Sequence, residues 1–181
     1  NFLIILIFFL LLSKEINYNE IQNIIVVLIT SIFIFVILNF FLKNFLGDGG
    51  VYGLSFLLGI IAILLTLFSE KISPYFIANL FWYPAFENLF SIIRRSVFNK
   101  KNYLADNLHL HQLLFKYFQK KKIFKKKFLT SSFTGIIINI YLFLFYLLGY
   151  LDYSDTKLQV MLIFINTAIY LFIYSKLRKT K

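Results

Sequence analysis

Apolar residues run in five blocks of 18 to 22 positions, at 21–42, 51–68, 74–93, 128–149 and 158–175, after a shorter block at 1–12. A helix rises 1.5 Å per residue, so about 20 apolar residues cross a hydrocarbon core of about 30 Å. Each of the five blocks therefore predicts one membrane-spanning helix. The block at 1–12 reads as a span cut short. It also resembles the core of a signal peptide, but it lacks a basic stretch before it and a small-residue cleavage site after it. Polar connectors separate the blocks: SKEINYNE, KNFLGDGG, SEKIS, a long basic stretch from Arg94 to Lys127, LDYSDTK, and a closing KLRKTK.

Alternating six spans sorts these connectors into two sets. KNFLGDGG, the 94–127 stretch and the tail carry sixteen Lys and Arg, whereas the other set carries three, Lys14, Lys71 and Lys157. The positive-inside rule puts the first set in the cytoplasm. The expectation is an all-α, polytopic transmembrane helix bundle of about six spans, the first truncated, with both ends inside. It forms a single transmembrane unit over 1–181 with a cytoplasmic loop at 94–127. Composition agrees: 60% of the residues are hydrophobic and 15% charged, against roughly half and a quarter for soluble domains. The net charge of +11 follows from this topology and from attraction to anionic membrane lipids, about 1 kcal/mol per basic residue. It calls for no nucleic acid. The absence of cysteine removes disulfides, thiolate metal sites and a cysteine nucleophile.

Candidate chemistry gathers on the basic side, which holds Asp48, Glu87, Asp106, His109 and His111. Asp48 sits in Gly47-Asp48-Gly49-Gly50. Glycines let the backbone approach a phosphate closely, and a carboxylate there suits Mg²⁺. The same pattern also suits a tight turn with Asp48 capping the next helix. His109 and His111 converge only on non-helical chain, so a turn is expected there, with Asn107 capping a helix from near Leu110. That helix would carry an apolar stripe of Leu110, Leu113, Leu114, Tyr117 and Phe118 and lie at the membrane surface. Two solvated loop histidines are the alternative; no third or fourth ligand is spaced for zinc. Glu87, inside the fourth span, has three outlets: snorkelling, pairing with Arg94, or contact with a polar site. Asn79 suits an interhelical hydrogen bond, and Trp82 and Tyr83 suit packing.

In order along the chain stand Phe45-Leu46-Gly47-Asp48-Gly49-Gly50-Val51-Tyr52-Gly53-Leu54, then Pro84-Ala85-Phe86-Glu87 ahead of Arg94-Arg95, then Ala105-Asp106-Asn107-Leu108-His109-Leu110-His111-Gln112. This series resembles the polyprenyl-phosphate N-acetylhexosamine-1-phosphate transferases of glycosyltransferase family 4. The closer likeness is to the UDP-GlcNAc branch that starts O-antigen glycans than to the phospho-MurNAc-pentapeptide branch. The resemblance covers residues 40–120 well and the flanking spans loosely. It implies transfer of a sugar-1-phosphate from a UDP-sugar to undecaprenyl phosphate, with release of UMP, at the cytoplasmic face of a bacterial inner membrane.

By the same resemblance Asp48 would ligate Mg²⁺, or Mn²⁺ in its place. Asp48, His109 and His111 would be catalytic, and Gly49, Gly50, Arg94, Arg95, Asp106 and Gln112 would contact substrate. A homodimer is compatible with it. Three positions depart from the family pattern: Gln112 for a His, Ala105 for a Pro, and Glu87 for an Asp. The family's Asp-Asp-x-x-Asp and Asn-x-x-Asp-Gly motifs do not occur in this sequence and are expected upstream of residue 1. These 181 residues alone are therefore expected to be inactive. A transporter would carry polar groups near mid-bilayer, and a non-catalytic remnant of the family would keep the spans without a working site.

Orientation is open to direct measurement in a chain that has no cysteine of its own. In intact cells, an impermeant thiol reagent should label Asp155→Cys and spare Lys122→Cys. The reverse pattern would invert the topology.

Overall fold

The computed structural model describes residues 1–16, 18–40, 46–97 and 108–179, and among them every regular element is helical. The elements are α1 (Phe2–Ile16), α2 (Asn19–Phe40), α3 (Gly47–Phe68), α4 (Pro74–Val97), α5 (Leu110–Lys120), α6 (Lys127–Leu151) and α7 (Thr156–Lys179). Among the described residues four helices, α2, α3, α6 and α7, are long and apolar enough to cross a membrane. α4, at 24 residues, has the length of the span expected at 74–93. Its hydropathy is diluted by Asn79, Glu87, Asn88 and the Arg94-Arg95 pair. α1 has the composition and not the length. The described residues are thus all-helical in their regular structure with four potential spans, and the expected six rest on α1 and α4 as well.

Packing divides the helices into two groups. α1 packs on α2 and α3, while α4, α5, α6 and α7 pack on one another, and α1 joins the groups through α6. The short α1 is the hub: Ile5, Leu6, Phe8, Phe9 and Leu12 are buried against Leu58 and Leu65 of α3, Phe76 and Leu80 of α4, and Leu142 and Tyr146 of α6. By contrast α2 and α3 leave Val27, Phe33, Ile34, Tyr52, Phe56, Ile63 and Leu67 exposed. Faces this apolar need lipid or protein to cover them.

Three of the connectors meet at one end. Here the hydroxyls of Tyr150 and Tyr153 donate to Glu15. There too Ser73 and Thr156 share a hydrogen bond of 3.0 Å, and Tyr18 stacks on Phe68 at 4.7 Å. This brings the α1–α2, α3–α4 and α6–α7 links together. Asp152 and Asp155 close the last of them by accepting the main-chain N–H groups of Asp155 and Lys157, as turn and cap residues do. α5, with the Lys120–Lys127 run that follows it, lies at the other end.

Polar side chains inside the bundle latch α4, α6 and α7. Gln159, fully buried, donates to the carbonyls of Gly149 (2.7 Å) and Asp152 (2.9 Å), and its Oε1 accepts from Asn79 at 3.3 Å. The interhelical role expected of Asn79 is present. Trp82 packs face to face on Phe86 and also donates to Thr167 at 3.1 Å. Such bonds contribute on the order of 0.6 kcal/mol each in a membrane.

The Gln159 latch needs α6 to come close. A Cβ placed on Gly149 would lie 2.8 Å from Gln159 Oε1, 3.0 Å from Asn79 Nδ2 and 3.1 Å from Phe76 Cε2. Gly149→Ala should therefore destabilise by about 1–3 kcal/mol through overpacking, outweighing the roughly 1 kcal/mol that Ala gains over Gly in a helix. Thermal unfolding in detergent checks this, and an unchanged or raised midpoint would show that the latch yields.

Candidate functional site

Two charged residues on α4, nearly two turns apart, hold the same short piece of chain. Arg94 is buried, 7% exposed, and donates through Nη1 to the Leu108 carbonyl at 2.6 Å and to the Tyr174 hydroxyl at 2.5 Å. Its guanidinium lies over the rings of Phe90 and Tyr174, 5.9 and 5.7 Å from their centroids. Glu87, also 7% exposed, turns Oε1 to the main-chain N–H of Leu110 at 2.9 Å and to His109 Nδ1 at 3.0 Å. Of the three outlets open to Glu87, the structure shows contact with a polar site, and that site is the histidine segment.

This grip explains where α5 starts. His109 is the N-cap, with extended backbone (φ −68°, ψ 151°), so the chain is non-helical at His109 and helical from Leu110, with His111 in the first turn. The capping residue is His109; Asn107, expected to cap, lies outside the described residues, as does Asp106. Gln112 accepts from the His109 N–H at 3.4 Å, the return half of a capping box. In α5 Leu110 and Leu113 are buried, and Lys116 and Lys120 are exposed, matching the amphipathic pattern.

The two imidazoles stack, with centroids 5.6 Å apart and planes 13° from parallel. His111 stands at the rim of a cleft of about 610 Å³ between α5 and α6, which Gln112, Phe115, Lys127, Phe128, Ser131 and Thr134 also line. The cleft has a basic, hydrogen-bonding mouth and apolar walls. Desolvation by the surrounding protein lowers the His111 pKa from its ordinary 6.5; Glu87 opposes this and His109 adds to it. By surface area His111 is exposed, so the desolvation is partial.

Asp48 falls elsewhere. It lies exposed in the first turn of α3, whose main packing partner is α1. Gly47 takes the left-handed conformation at φ 64° that glycine tolerates, but Gly49 and Gly50 are helical rather than a loop cradle. The helix N-cap is Leu46, with no side-chain cap bond, so Asp48 is not the cap residue. It stands where a carboxylate favours the helix dipole. Among the described residues no group of three His, Cys, Asp or Glu could hold a metal ion. A single exposed carboxylate matches only an ion held chiefly by phosphates and water. Arg95 is half-buried.

The structure thus brings Glu87, Arg94, His109, His111 and Gln112 together and leaves Asp48 on another helix pair. The importance of Glu87 had a signal in the sequence, as the one acid within an otherwise uncharged run. Lys127, Ser131 and Thr134 had none beyond their place at the start of a span. Comparison with family models, with curated proteins and with solved structures finds no match.

The direction of the His111 shift sets a pH dependence. Because its folded value lies below 6.5, the unfolded chain binds more protons in the interval between the two values. The His111 contribution is complete above pH 6.5 and is lost as pH falls below it. The thermal midpoint should drop between pH 7.5 and 5.5, and His111→Gln should reduce that drop. An equal drop in the variant would contradict the assignment.

Proposed function

We propose that this chain is a multi-pass protein of a bacterial inner membrane, with α1 and α4 completing six spans and the basic end in the cytoplasm. In this reading it transfers a sugar-1-phosphate, an N-acetylhexosamine phosphate, from a UDP-sugar to undecaprenyl phosphate, initiating a cell-wall or surface glycan. A phosphate oxygen of the lipid attacks the β-phosphorus of the UDP-sugar, the bond to the bridging oxygen breaks, and UMP leaves. The observation that carries the reading is the stacked histidine pair, anchored through His109 by a buried carboxylate, with His111 beside Lys127 on a largely apolar cleft. Imidazole N–H groups and Lys127 suit phosphate oxygens, and the apolar walls suit a lipid chain.

Chemistry of this kind depends on positioning and charge neutralisation. His109 and His111 hold the nucleotide-sugar phosphates, Gln112 keeps the turn that presents them, and Arg94 holds the chain at Leu108. Mg²⁺ or Mn²⁺, if bound, would sit on Asp48 with substrate phosphates and supply positive charge. A second reading, a membrane protein that binds the nucleotide sugar without turnover, is favoured by the position of Asp48, on α3 and away from the pair.

The full-length protein in native membranes, given UDP-N-acetylglucosamine, undecaprenyl phosphate and Mg²⁺, should release UMP. Asp48→Asn should cut turnover by about 10²–10³, the scale on which loss of one key electrostatic group acts. His109→Gln and His111→Gln should cost less, mainly as weaker nucleotide-sugar affinity. Binding of the UDP-sugar without UMP release would favour the second reading, and no binding would remove both.

A further inference from the structure

Glu87 touches neither phosphate nor metal in the reaction just described, yet it is the most closely fitted acid in the described structure. We infer that Glu87 is the positioning residue of the histidine pair: it fixes His109 as the tautomer with hydrogen on Nδ1 and sets the direction of its ring. The sharing of one oxygen decides the tautomer. The Leu110 N–H can only donate, so Glu87 Oε1, 2.9 Å away, accepts. The His109 nitrogen 3.0 Å from the same oxygen must then supply a hydrogen as well. With Nδ1 protonated, Nε2 carries the lone pair and is the atom that gains a proton when the ring charges.

The surroundings keep Glu87 from turning away. Trp82, Phe86 and Tyr170 form one contiguous aromatic stack along this face of α4 and α7. Glu87 Oε2 is buried, with the hydroxyls of Tyr83 and Tyr170 facing the carboxylate. Its other oxygen is on His109 and Leu110, so the carboxylate is engaged on both sides. Arg94 fixes the carbonyl of Leu108 one residue before the histidine, so the His109 backbone is pinned on both sides. His111, stacked 5.6 Å from His109, takes its place from the same anchor.

The tautomer claim stands without the transferase reading, while its consequence for phosphate binding rests on that reading. The chain has only two histidines, so ¹⁵N-histidine NMR of the whole protein in detergent resolves both, and His109→Gln assigns them. Wild-type His109 should appear with hydrogen on Nδ1. Glu87→Ala should lose that state, and Glu87→Gln, whose amide oxygen still accepts, should retain it. In the same variants Glu87→Ala should raise KM for the UDP-sugar about tenfold, the scale on which outer partners of ligating histidines act, with a smaller change in kcat. Should Glu87→Ala fail to fold, the wild-type and Glu87→Gln spectra decide. Hydrogen on Nε2 in the wild type, or an unmoved tautomer in Glu87→Ala, overturns the inference. A fixed tautomer in a protein that binds no UDP-sugar would leave it standing and remove the transferase reading alone.

Discussion

A carboxylate buried inside a helical bundle has to find its donors within the protein, because the apolar side chains around it offer none. Glu87 finds two, the first main-chain N–H of α5 and the imidazole before it. From that one oxygen much of the basic end follows. It fixes where α5 begins, which face of α5 turns inward, and therefore that Leu110 and Leu113 meet Trp82, Tyr170 and Tyr174 in a small second core. Arg94 performs the complementary task, supplying donors where the chain offers a carbonyl. The two opposite charges are satisfied by the same loop rather than by a bond that would draw them together and away from it.

The helical architecture was legible because its signal is redundant. Each block of apolar residues repeats the same statement about twenty times, and the basic residues gather at alternate connectors. Three details were not. α4 reads as a span by its aromatic and aliphatic residues, but its polar side chains make sense only once Gln159, Thr167 and Leu110 are seen opposite them, and those partners are distant in sequence. α1 looks like a remnant by its length, and its central position depends on what packs around it rather than on its own pattern. Arg94, expected beside substrate, is buried under Tyr174 and Phe90 and grips main chain. A guanidinium can serve either purpose, and no local pattern distinguishes them.

The site itself was half visible. Spacing predicts that His109 and His111 converge on non-helical chain; the two rings do stack, but only His109 is non-helical, and His111 lies in the first turn of α5. Gln112, which stands where the resembled family places a third histidine, accepts the N–H of the N-cap residue, a task that an amide oxygen performs and that belongs to the turn. Asp48 was legible as a carboxylate at a glycine-rich helix start, yet its position relative to the histidines depends on how α3 packs. α3 leans on α1, so the acid and the histidine pair sit on different groups of helices.

The polar face of α4 also bears on how such a chain would be made. A helix carrying Asn79, Glu87 and Arg94 leaves the ribosome before α6 and α7 exist, and so before Gln159, Tyr174 and the histidine turn can satisfy it. Until then its polar side chains have only water or headgroups to bond. α4 would therefore reach its final packing only with α6 and α7, rather than as an independent unit. The order of synthesis makes the last two helices of this chain the ones that license the fourth.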